Sequence, residues 1–193
     1  MDKDRLIARW EEHLGSEMVE RDVDATMNTM TPTPYVNHVP TMTGGVGAAE
    51  LRRFYKHHFI PVNPPDFEVV PVSRTVGADT LVDELVLRFT HSCRMDYFLP
   101  GVAPTHRRVE FPLVVIAHFE GDLLAHEHIY WDQASVLVQV GLLERGNLPI
   151  TGVEATQKVL EPGRPSNGLM FREWAESEPD RASPASSSTD AAG

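Results

Sequence analysis

The chain has 193 residues, of which 41% are hydrophobic, so it can bury one substantial core and a single domain is expected. Its formal net charge of -11 argues against a nucleic-acid-binding surface, because phosphate contacts require clustered Lys and Arg. The single cysteine, Cys93, excludes an internal disulfide and fits a reducing compartment. No apolar run is long enough to span a membrane, and the N-terminus lacks the apolar core of a secretion signal. These features predict a soluble, cytoplasmic protein without a membrane or nucleic-acid partner.

Three helices are predicted in the first third of the chain. Apolar residues recur at helical spacing from Leu6 to Leu14. Gly15 and Ser16 interrupt this pattern, and Ser16 is suited to cap a second helix that ends near Met30. A proline-rich segment, 31–45, contains the short extended piece YVNHV, and the apolar stripe in AAELRRFYKHHF then predicts the third helix.

The pattern changes to strands after residue 65. FEVVPVSRTV and TLVDELVLRFTHS, joined by GAD, predict a hairpin, and at least two further strands follow. EGD, at 120–122, is the predicted turn between the last two strands. Helices followed by an antiparallel meander indicate an α+β fold, in which three N-terminal helices pack on one face of a curved sheet and enclose a pocket.

The end of the chain has weaker patterns than the rest. We predict a main domain over residues 1–145 and a C-terminal extension with short helices over 146–175. Residues 176–193 are rich in Ser, Ala and Pro and show no apolar periodicity, so a disordered tail is expected there.

A row of polar residues alternates along the last predicted strand. The row consists of His126, His128, Tyr130 and Asp132, whereas Glu127, Ile129 and Trp131 point to the opposite face. The large apolar side chains of Ile129 and Trp131 indicate that their face is buried, for example at a subunit interface. The polar row then faces water or a cavity. We favour a cavity, because solvated strand faces usually carry Lys, Glu and Thr.

Three interpretations of this row are compatible with the sequence. It can be an ordinary polar face, a metal site in which His126 and His128 bind one ion, or the lining of a proton-transfer pocket. In the last case, burial would raise the pKa of Asp132 so that it acts as acid or base near neutral pH. The imidazole of His128 would share the proton or orient the carbonyl group of the substrate. The two residues lie about 13 Å apart along the strand, so they would hold opposite ends of a flat substrate.

Other polar residues could complete such a pocket. The candidates from the segment DELVLRFTHSCRMD are Asp83, Glu84, Arg88, His91 and Asp96, and those from the segment YVNHV are Tyr35 and His38. Glu84 also has the spacing of an ion pair with Arg88, and His91 continues an apolar row that is typical of a packed core histidine. His38 lies in a proline-bounded segment, where it fits either the mouth of a pocket or a surface loop.

The second half of the chain resembles a known family. FTHS, followed by MDYFLPGVAPTHRRVEFPLVVIAHFEGDLLAHEHIYWDQASVLVQVGLL, is similar to the SnoaL-like branch of the NTF2-like superfamily. The shared order of parts is Leu-Pro-Gly, a Pro-Thr turn, a strand, an acidic-glycine turn, a strand that ends in Asp and a closing stretch. The resemblance covers about residues 5 to 145. His106 stands where the family usually has a glycine in this Pro-Thr turn.

This resemblance implies a cone-shaped α+β fold, a homodimer that forms through the sheet, and a small hydrophobic organic substrate. Polyketide cyclases of the branch use an Asp in the last strand to abstract a proton, without a metal or other cofactor, and that position corresponds to Asp132. The predicted catalytic residues are therefore Asp132, His128 and Glu84. The predicted substrate-binding residues are Tyr35, His38, His91, Asp96, His126 and Tyr130.

The predicted function is metal-free acid/base chemistry next to a carbonyl group, leading to cyclisation, isomerisation or a lyase or hydrolase reaction. Two alternatives stay open at this point. One is a binding module of the same fold that has no catalytic activity. The other is a metal-dependent enzyme that uses His126 and His128.

Overall fold

The N-terminal helices of the computed structural model, which describes residues 2–177, differ in detail from the prediction. Helix α1 (Lys3–Gly15) does not break at Gly15 but continues into a π-helical turn, Ser16–Glu20. The chain then reverses through Arg21, whose φ of 55° lies in the left-handed region. Asp22, and not Ser16, caps α2 (Val23–Asn28), because its side chain accepts hydrogen bonds from two backbone N–H groups of the first turn.

The remaining elements follow the predicted order. The helices are α3 (Ala48–Phe54), α4 (Gln133–Gln139), α5 (Val153–Leu160) and α6 (Phe171–Glu176), and α3 continues into a second π-helical turn, Tyr55–Phe59. The strands are β1 (Met30–His38), β2 (Thr43–Val46), β3 (Glu68–Val76), β4 (Thr80–Thr90), β5 (Arg108–Glu120) and β6 (Leu123–Trp131). Within residues 2–177, no helix has the length and apolar character that crossing a membrane requires.

The six strands form one curved sheet in the order β2-β1-β6-β5-β4-β3. The predicted hairpin is confirmed as β3–β4, and the turn at 120–122 connects β5 to β6. The sheet is not wholly antiparallel, however, because β1 pairs with β6 in parallel. The predicted α+β arrangement is confirmed, with the N-terminal helices on the inner face of the sheet.

The register of the strands determines which side chains share the inner face. Two rows of paired residues cross it. One row runs through Leu81, Ala117, Glu127 and Val36, and the next runs through Asp83, Val115, Ile129 and His38. All eight residues are less than one-tenth exposed. Three ionisable side chains therefore lie on a face that is otherwise apolar.

Helix α1 covers this inner face with a stripe that changes character along its length. Leu6, Trp10 and His13 are each 0% exposed, and Glu17 continues the same stripe in the π-helical turn. The stripe begins apolar and ends ionisable. Helix α1 thus brings two polar side chains to the ionisable residues of the sheet.

The segment after β6 packs beside β5. Helices α4 and α5 are joined by a bond from Ser135 Oγ to the Gly152 carbonyl (2.9 Å), and Thr156 Oγ1 donates to the Glu110 carbonyl of β5 (2.8 Å). The two short helices expected in the extension are present as α5 and α6. The domain boundary at 145 stays a prediction, and the expected tail at 176–193 falls beyond the described residues from 178 onward.

Candidate active site

A cavity of about 760 Å³ lies between the N-terminal helices and the inner face of the sheet. Its wall is mainly apolar and aromatic. The polar side chains that line it include Glu17, His38, Tyr55, Arg74, Asp83 and Glu127. An apolar cavity with a few converging polar groups is the usual form of a small-molecule site.

Two carboxylates of the cavity wall, Glu17 and Glu127, form an ionisable group with the buried His13. His13 and Glu17 are one helical turn apart on the α1 stripe, and Glu127 reaches them from β6. His13 Nε2 lies 3.0 Å from Glu17 Oε1 and 3.2 Å from Glu127 Oε1. Both carboxylates are nearly buried, at 4% and 6% exposure, and both line the cavity. We call these three residues the carboxylate–imidazole cluster.

Hydrogen bonds behind the cluster fix the state of the His13 ring. His13 Nδ1 lies 2.6 Å from Thr29 Oγ1, and this hydroxyl donates its hydrogen to the Thr26 carbonyl. Thr29 Oγ1 must therefore accept from Nδ1, which carries a hydrogen. Burial alone would lower the pKa of His13, but the two carboxylates, Glu17 before Glu127, outweigh it and raise the pKa to about 10. The ring is then an imidazolium at neutral pH, shared by two carboxylates.

Tyr55 adds a hydroxyl group next to these carboxylates. It is 1% exposed and comes from the π-helical turn that follows α3. Burial and then the charges of Glu17 and Glu127 raise the pKa of the phenol well above its ordinary value. The hydroxyl therefore keeps its hydrogen and can donate to a negatively charged oxygen.

Asp83 is also ionisable and buried, at 1% exposure, but its oxygens are fully engaged. It accepts from Arg74 Nε (2.7 Å) and Nη2 (2.9 Å) and from Trp10 Nε1 (2.7 Å). This bidentate pairing is strong and directional. Asp83 consequently ties α1 and β3 to β4.

His38 lines the cavity as an uncharged ring. It is 4% exposed, and burial lowers its pKa to about 4, although the charge of Glu127 and the hydrogen bond to the Thr43 carbonyl act in the opposite direction. An imidazole with such a pKa is neutral throughout the physiological range.

This depressed pKa predicts a loss of stability in acid. Unfolded His38 takes up a proton near pH 6.5, whereas the folded ring stays neutral until about pH 4. The contribution of the neutral ring to the free energy of unfolding is therefore complete above pH 6.5 and is lost as the pH falls toward 4. The loss amounts to about 3 kcal/mol of unfolding free energy at about 1.4 kcal/mol per pH unit. Urea unfolding between pH 7 and 4 should show this slope in the wild type and in the control His57→Phe, whose histidine is exposed, but not in His38→Phe. An unchanged slope in His38→Phe would contradict the assignment.

The carboxylate–imidazole cluster also has the composition of a metal site. Its three ligand atoms lie within 4.8 Å of one another, and within residues 2–177 it is the one such group of three. One imidazole and two carboxylates suit zinc, iron or manganese. The Nδ1–H bond to Thr29 is the kind of outer contact that orients a metal-binding histidine.

The polar row of β6 lies on the opposite side of the sheet from the cavity. Glu127 and Ile129 line the cavity, so the residues between them point outward. His126 contacts His118 and His128 on this outer face, with ring centroids 4.9 and 5.1 Å apart, and Tyr35 packs against His128 at 5.4 Å. Burial, followed by the neighbouring histidines His118 and His128, lowers the pKa of His126. The expected pocket-facing placement of Tyr35, His126, His128 and Tyr130 is therefore corrected to the outer face.

The other predicted site residues are also outside the cavity, except for His38. Asp132 is exposed and caps α4 by accepting from the N–H groups of Ala134 (2.9 Å) and Ser135 (3.2 Å), which explains its position after the last strand. Glu84 points outward and accepts from Ser73 Oγ (2.9 Å), while Arg88 pairs with Glu110 instead (3.1 Å).

His91 and Asp96 stabilise the chain around the Pro-Thr turn. His91 is 0% exposed, and its Nδ1 accepts from the Thr105 N–H at 3.2 Å. Asp96 accepts from the N–H of Gly101 at 3.0 Å. His106, at the position of the family's glycine, has a φ of 56°, which is the left-handed conformation that glycine adopts without strain. The binding roles predicted for His91 and Asp96 and the catalytic roles predicted for Asp132, His128 and Glu84 stay untested predictions. Of all the predicted catalytic and substrate-binding residues, only His38 lines the cavity.

Sequence reasoning missed His13, Glu17, Tyr55 and Glu127. A usable signal was present in the sequence, because Glu127 lies between apolar residues on the face recognised as buried, and a buried charge requires a partner. His13 and Glu17 have the spacing of helical neighbours on the buried stripe of α1. The partnership between the helix and the strand depends on the tertiary fold and could not be read from either segment.

Comparisons with known proteins agree with this architecture. The family model described as a SnoaL-like domain matches residues 5–127, more than half of the chain. TsrD from Streptomyces laurentii is similar in structure, with 20% identity and a TM-score of 0.53 over 74% of this chain and 99% of that one. An NTF2-like protein of unknown function from Burkholderia pseudomallei has 17% identity and a TM-score of 0.54, over 73% and 99% of the two chains.

A third similar structure is SalBIII, an epoxide hydrolase/cyclase-like enzyme with a role in pyran ring formation in the polyether salinomycin. It has 16% identity and a TM-score of 0.50, over 67% of this chain and 92% of that one. None of the curated proteins compared with this chain matches it. At these identities the structural similarity shows the fold alone. The cone of helices on a curved sheet is thus the NTF2-like fold, and the chain belongs to the SnoaL-like domain family.

Proposed function

We propose that the protein is a small-molecule enzyme that removes a proton next to a carbonyl group of an apolar substrate, with Glu127 as the base. The observation that carries this proposal is the carboxylate–imidazole cluster, in which two buried carboxylates share one imidazolium at the wall of an apolar cavity. Two carboxylates and one imidazolium leave a net charge of -1.

Each member of the cluster has a role in the reaction. Glu127 takes the proton from the carbon beside the carbonyl, and the electron pair of the broken C–H bond forms the C=C bond of an enolate. The Tyr55 hydroxyl donates a hydrogen bond to the enolate oxygen. Glu17 stays paired with His13 and keeps the imidazolium in place while Glu127 becomes neutral. Where the enolate is conjugated with a further C=C bond, return of the proton from Glu127 to another carbon gives isomerisation. Attack of the enolate carbon on a second carbonyl of the substrate, whose oxygen then takes the proton from Glu127, gives cyclisation.

The similarity to SalBIII supports small-molecule chemistry in a cavity of this fold, because that protein is described as acting in ring formation. It does not identify the reaction here, since one fold supports many reactions. The choice of proton abstraction depends on the residue types of the cluster and of Tyr55 beside it: a base and a cation that holds the base in the cluster, and a hydroxyl donor in Tyr55.

The proposal is tested by deuterium exchange at the carbon next to the carbonyl of an apolar ketone. We expect the wild type to accelerate exchange of 2-tetralone in D₂O, followed by NMR, after the protein has been treated with a metal chelator. Exchange no faster than in buffer, at protein concentrations that bind the ketone, would favour a binding module without catalytic activity and would contradict the proposal.

A second candidate is a metal-dependent enzyme at the same cluster. It is favoured by the distances of 3.0 and 3.2 Å between the imidazole nitrogen and the two carboxylate oxygens, which match neighbouring ligands around one ion. In that case the chelated protein should be inactive in the exchange assay, and zinc or manganese should restore it. Activity that survives chelation would exclude this candidate.

We also propose that the outer face of the sheet joins two copies of the chain, as the family resemblance implied. The histidine–tyrosine row on this face lies beside Val114 and Ile116, and these side chains are only half-buried in one subunit. Aromatic residues around an apolar centre are typical of protein interfaces. Native mass spectrometry should give the mass of two chains for the wild type and of one chain for Ile116→Lys, which introduces a charge at the centre. A wild type that is monomeric at micromolar concentration would contradict this.

A further inference from the structure

His38 is enclosed by aromatic rings at one end of the cavity. The rings of Phe54, Phe59, Tyr97, Phe98 and Trp131 surround it with centroid distances between 5.5 and 6.2 Å. A polar ring in such an apolar enclosure has a cost unless its nitrogens are hydrogen-bonded.

Among the described residues, 2–177, only one of the two ring nitrogens of His38 has a hydrogen-bond partner. His38 Nδ1 lies 3.2 Å from the Thr43 carbonyl oxygen. A carbonyl can only accept, so Nδ1 carries the hydrogen and Nε2 of the neutral ring carries a lone pair. No hydrogen bond to Nε2 is made by any residue within 2–177.

The neighbouring hydroxyl groups are committed elsewhere. Thr41 Oγ1 (2.8 Å) and Thr43 Oγ1 (3.0 Å) both donate to the Tyr97 carbonyl, and the Tyr97 hydroxyl donates to Asn63. His38 lines the cavity, so an occupant of the cavity is the remaining source of a donor for Nε2.

We propose that the substrate is an apolar ring compound with a hydroxyl group that donates a hydrogen bond to His38 Nε2. This inference deepens the proposed function and rests on it for the position of the reacting carbon. Val36 pairs with Glu127 and His38 with Ile129, so the Cα atoms of His38 and Glu127 lie about 8 Å apart on neighbouring strands. One small substrate can therefore present its hydroxyl to His38 and its acidic carbon to Glu127.

His38 accepts a hydrogen bond from the substrate and thereby positions it, and it does not exchange protons with the substrate. The group it selects is a hydroxyl attached to the same ring system as the carbonyl. An analogue with a methoxy group in place of the hydroxyl leaves Nε2 buried without a donor, and such an unpaired group is what gives a polar subsite its selectivity.

The test compares 6-hydroxy-2-tetralone with 6-methoxy-2-tetralone by isothermal titration calorimetry. Both carry the same ketone, and only the first has a donor at the far end of the molecule. In a Glu127→Gln background, which prevents turnover, we expect the hydroxyl compound to bind about tenfold tighter or more. This preference should disappear in Glu127→Gln/His38→Phe, whereas Glu127→Gln/His38→Gln, which retains an acceptor, should keep part of it.

Equal affinities for the two ketones in the presence of His38, or a preference that persists in the His38→Phe background, would overturn the inference. Circular dichroism of each variant separates a lost preference from a lost fold. The result is also separable from the proposed function, because binding is measured without turnover. A hydroxyl preference that depends on His38 would stand even if the exchange assay found no catalysis.

Discussion

Glu127→Gln is expected to reduce the exchange rate of 2-tetralone by about 10²–10⁴-fold, the usual contribution of a positioned general base. Glutamine has nearly the same shape as glutamate, so the cavity should keep its form. It cannot take up a proton at neutral pH. The loss should therefore appear in the rate of exchange, with little change in the affinity for the ketone.

Asp132→Asn is the matched control for this experiment. It makes the same chemical change at the acidic residue that the family resemblance indicated, but Asp132 is exposed at the cap of α4 and lies outside the cavity. Its exchange rate should stay within about twofold of the wild type. Equal losses in both variants, or a loss in Asp132→Asn alone, would contradict the assignment of Glu127.

Asp83→Ala is expected to have the largest effect on stability, lowering the free energy of unfolding by about 2–3 kcal/mol, because it removes the ion pair with the partly exposed Arg74 and leaves the buried Trp10 N–H without an acceptor. The substitution leaves the Arg74 guanidinium and the Trp10 N–H without the carboxylate that both contact. Urea unfolding followed by fluorescence measures the loss.

Glu84→Ala is the control for Asp83→Ala. Glu84 is the next residue on β4, but it points to the outer face and accepts one hydrogen bond, from Ser73. Its removal should cost less than about 1 kcal/mol, as is usual for a surface position. Similar losses for the two variants would show that the ion pair of Asp83 has no special part in holding α1 on the sheet.

The order of the elements could be predicted because local patterns carry it. The alternation in β3 and β4, the glycine at their turn and the apolar stripe of α1 are visible in single segments. The parallel pairing of β1 with β6 could not be predicted, since it joins residues about 90 positions apart and depends on the whole sheet.

The orientation of β6 shows the main limit of the sequence argument. Alternation separates Glu127, Ile129 and Trp131 from the polar row, and the buried character of the first set is confirmed, at 6–9% exposure. The error was to assign the buried face to a subunit interface and the polar face to the pocket. Periodicity gives the two faces of a strand, but the fold decides which of them encloses the cavity. Asp132 was misplaced for a related reason: an Asp just after a strand is equally suited to cap the next helix.

The most direct measurement of the central claim is methyl NMR of the protein with labelled Ile and Val, titrated with 2-tetralone. Neighbouring residues of β5 and β6 report opposite faces: Val115 and Ile129 line the cavity, whereas Val114 and Ile116 point outward. We predict shift changes at Val115 and Ile129, with little change at Val114 and Ile116. Changes confined to Val114 and Ile116 would place the ligand on the outer face, beside the polar row. This result would contradict the proposal that the substrate binds in the cavity lined by Glu127.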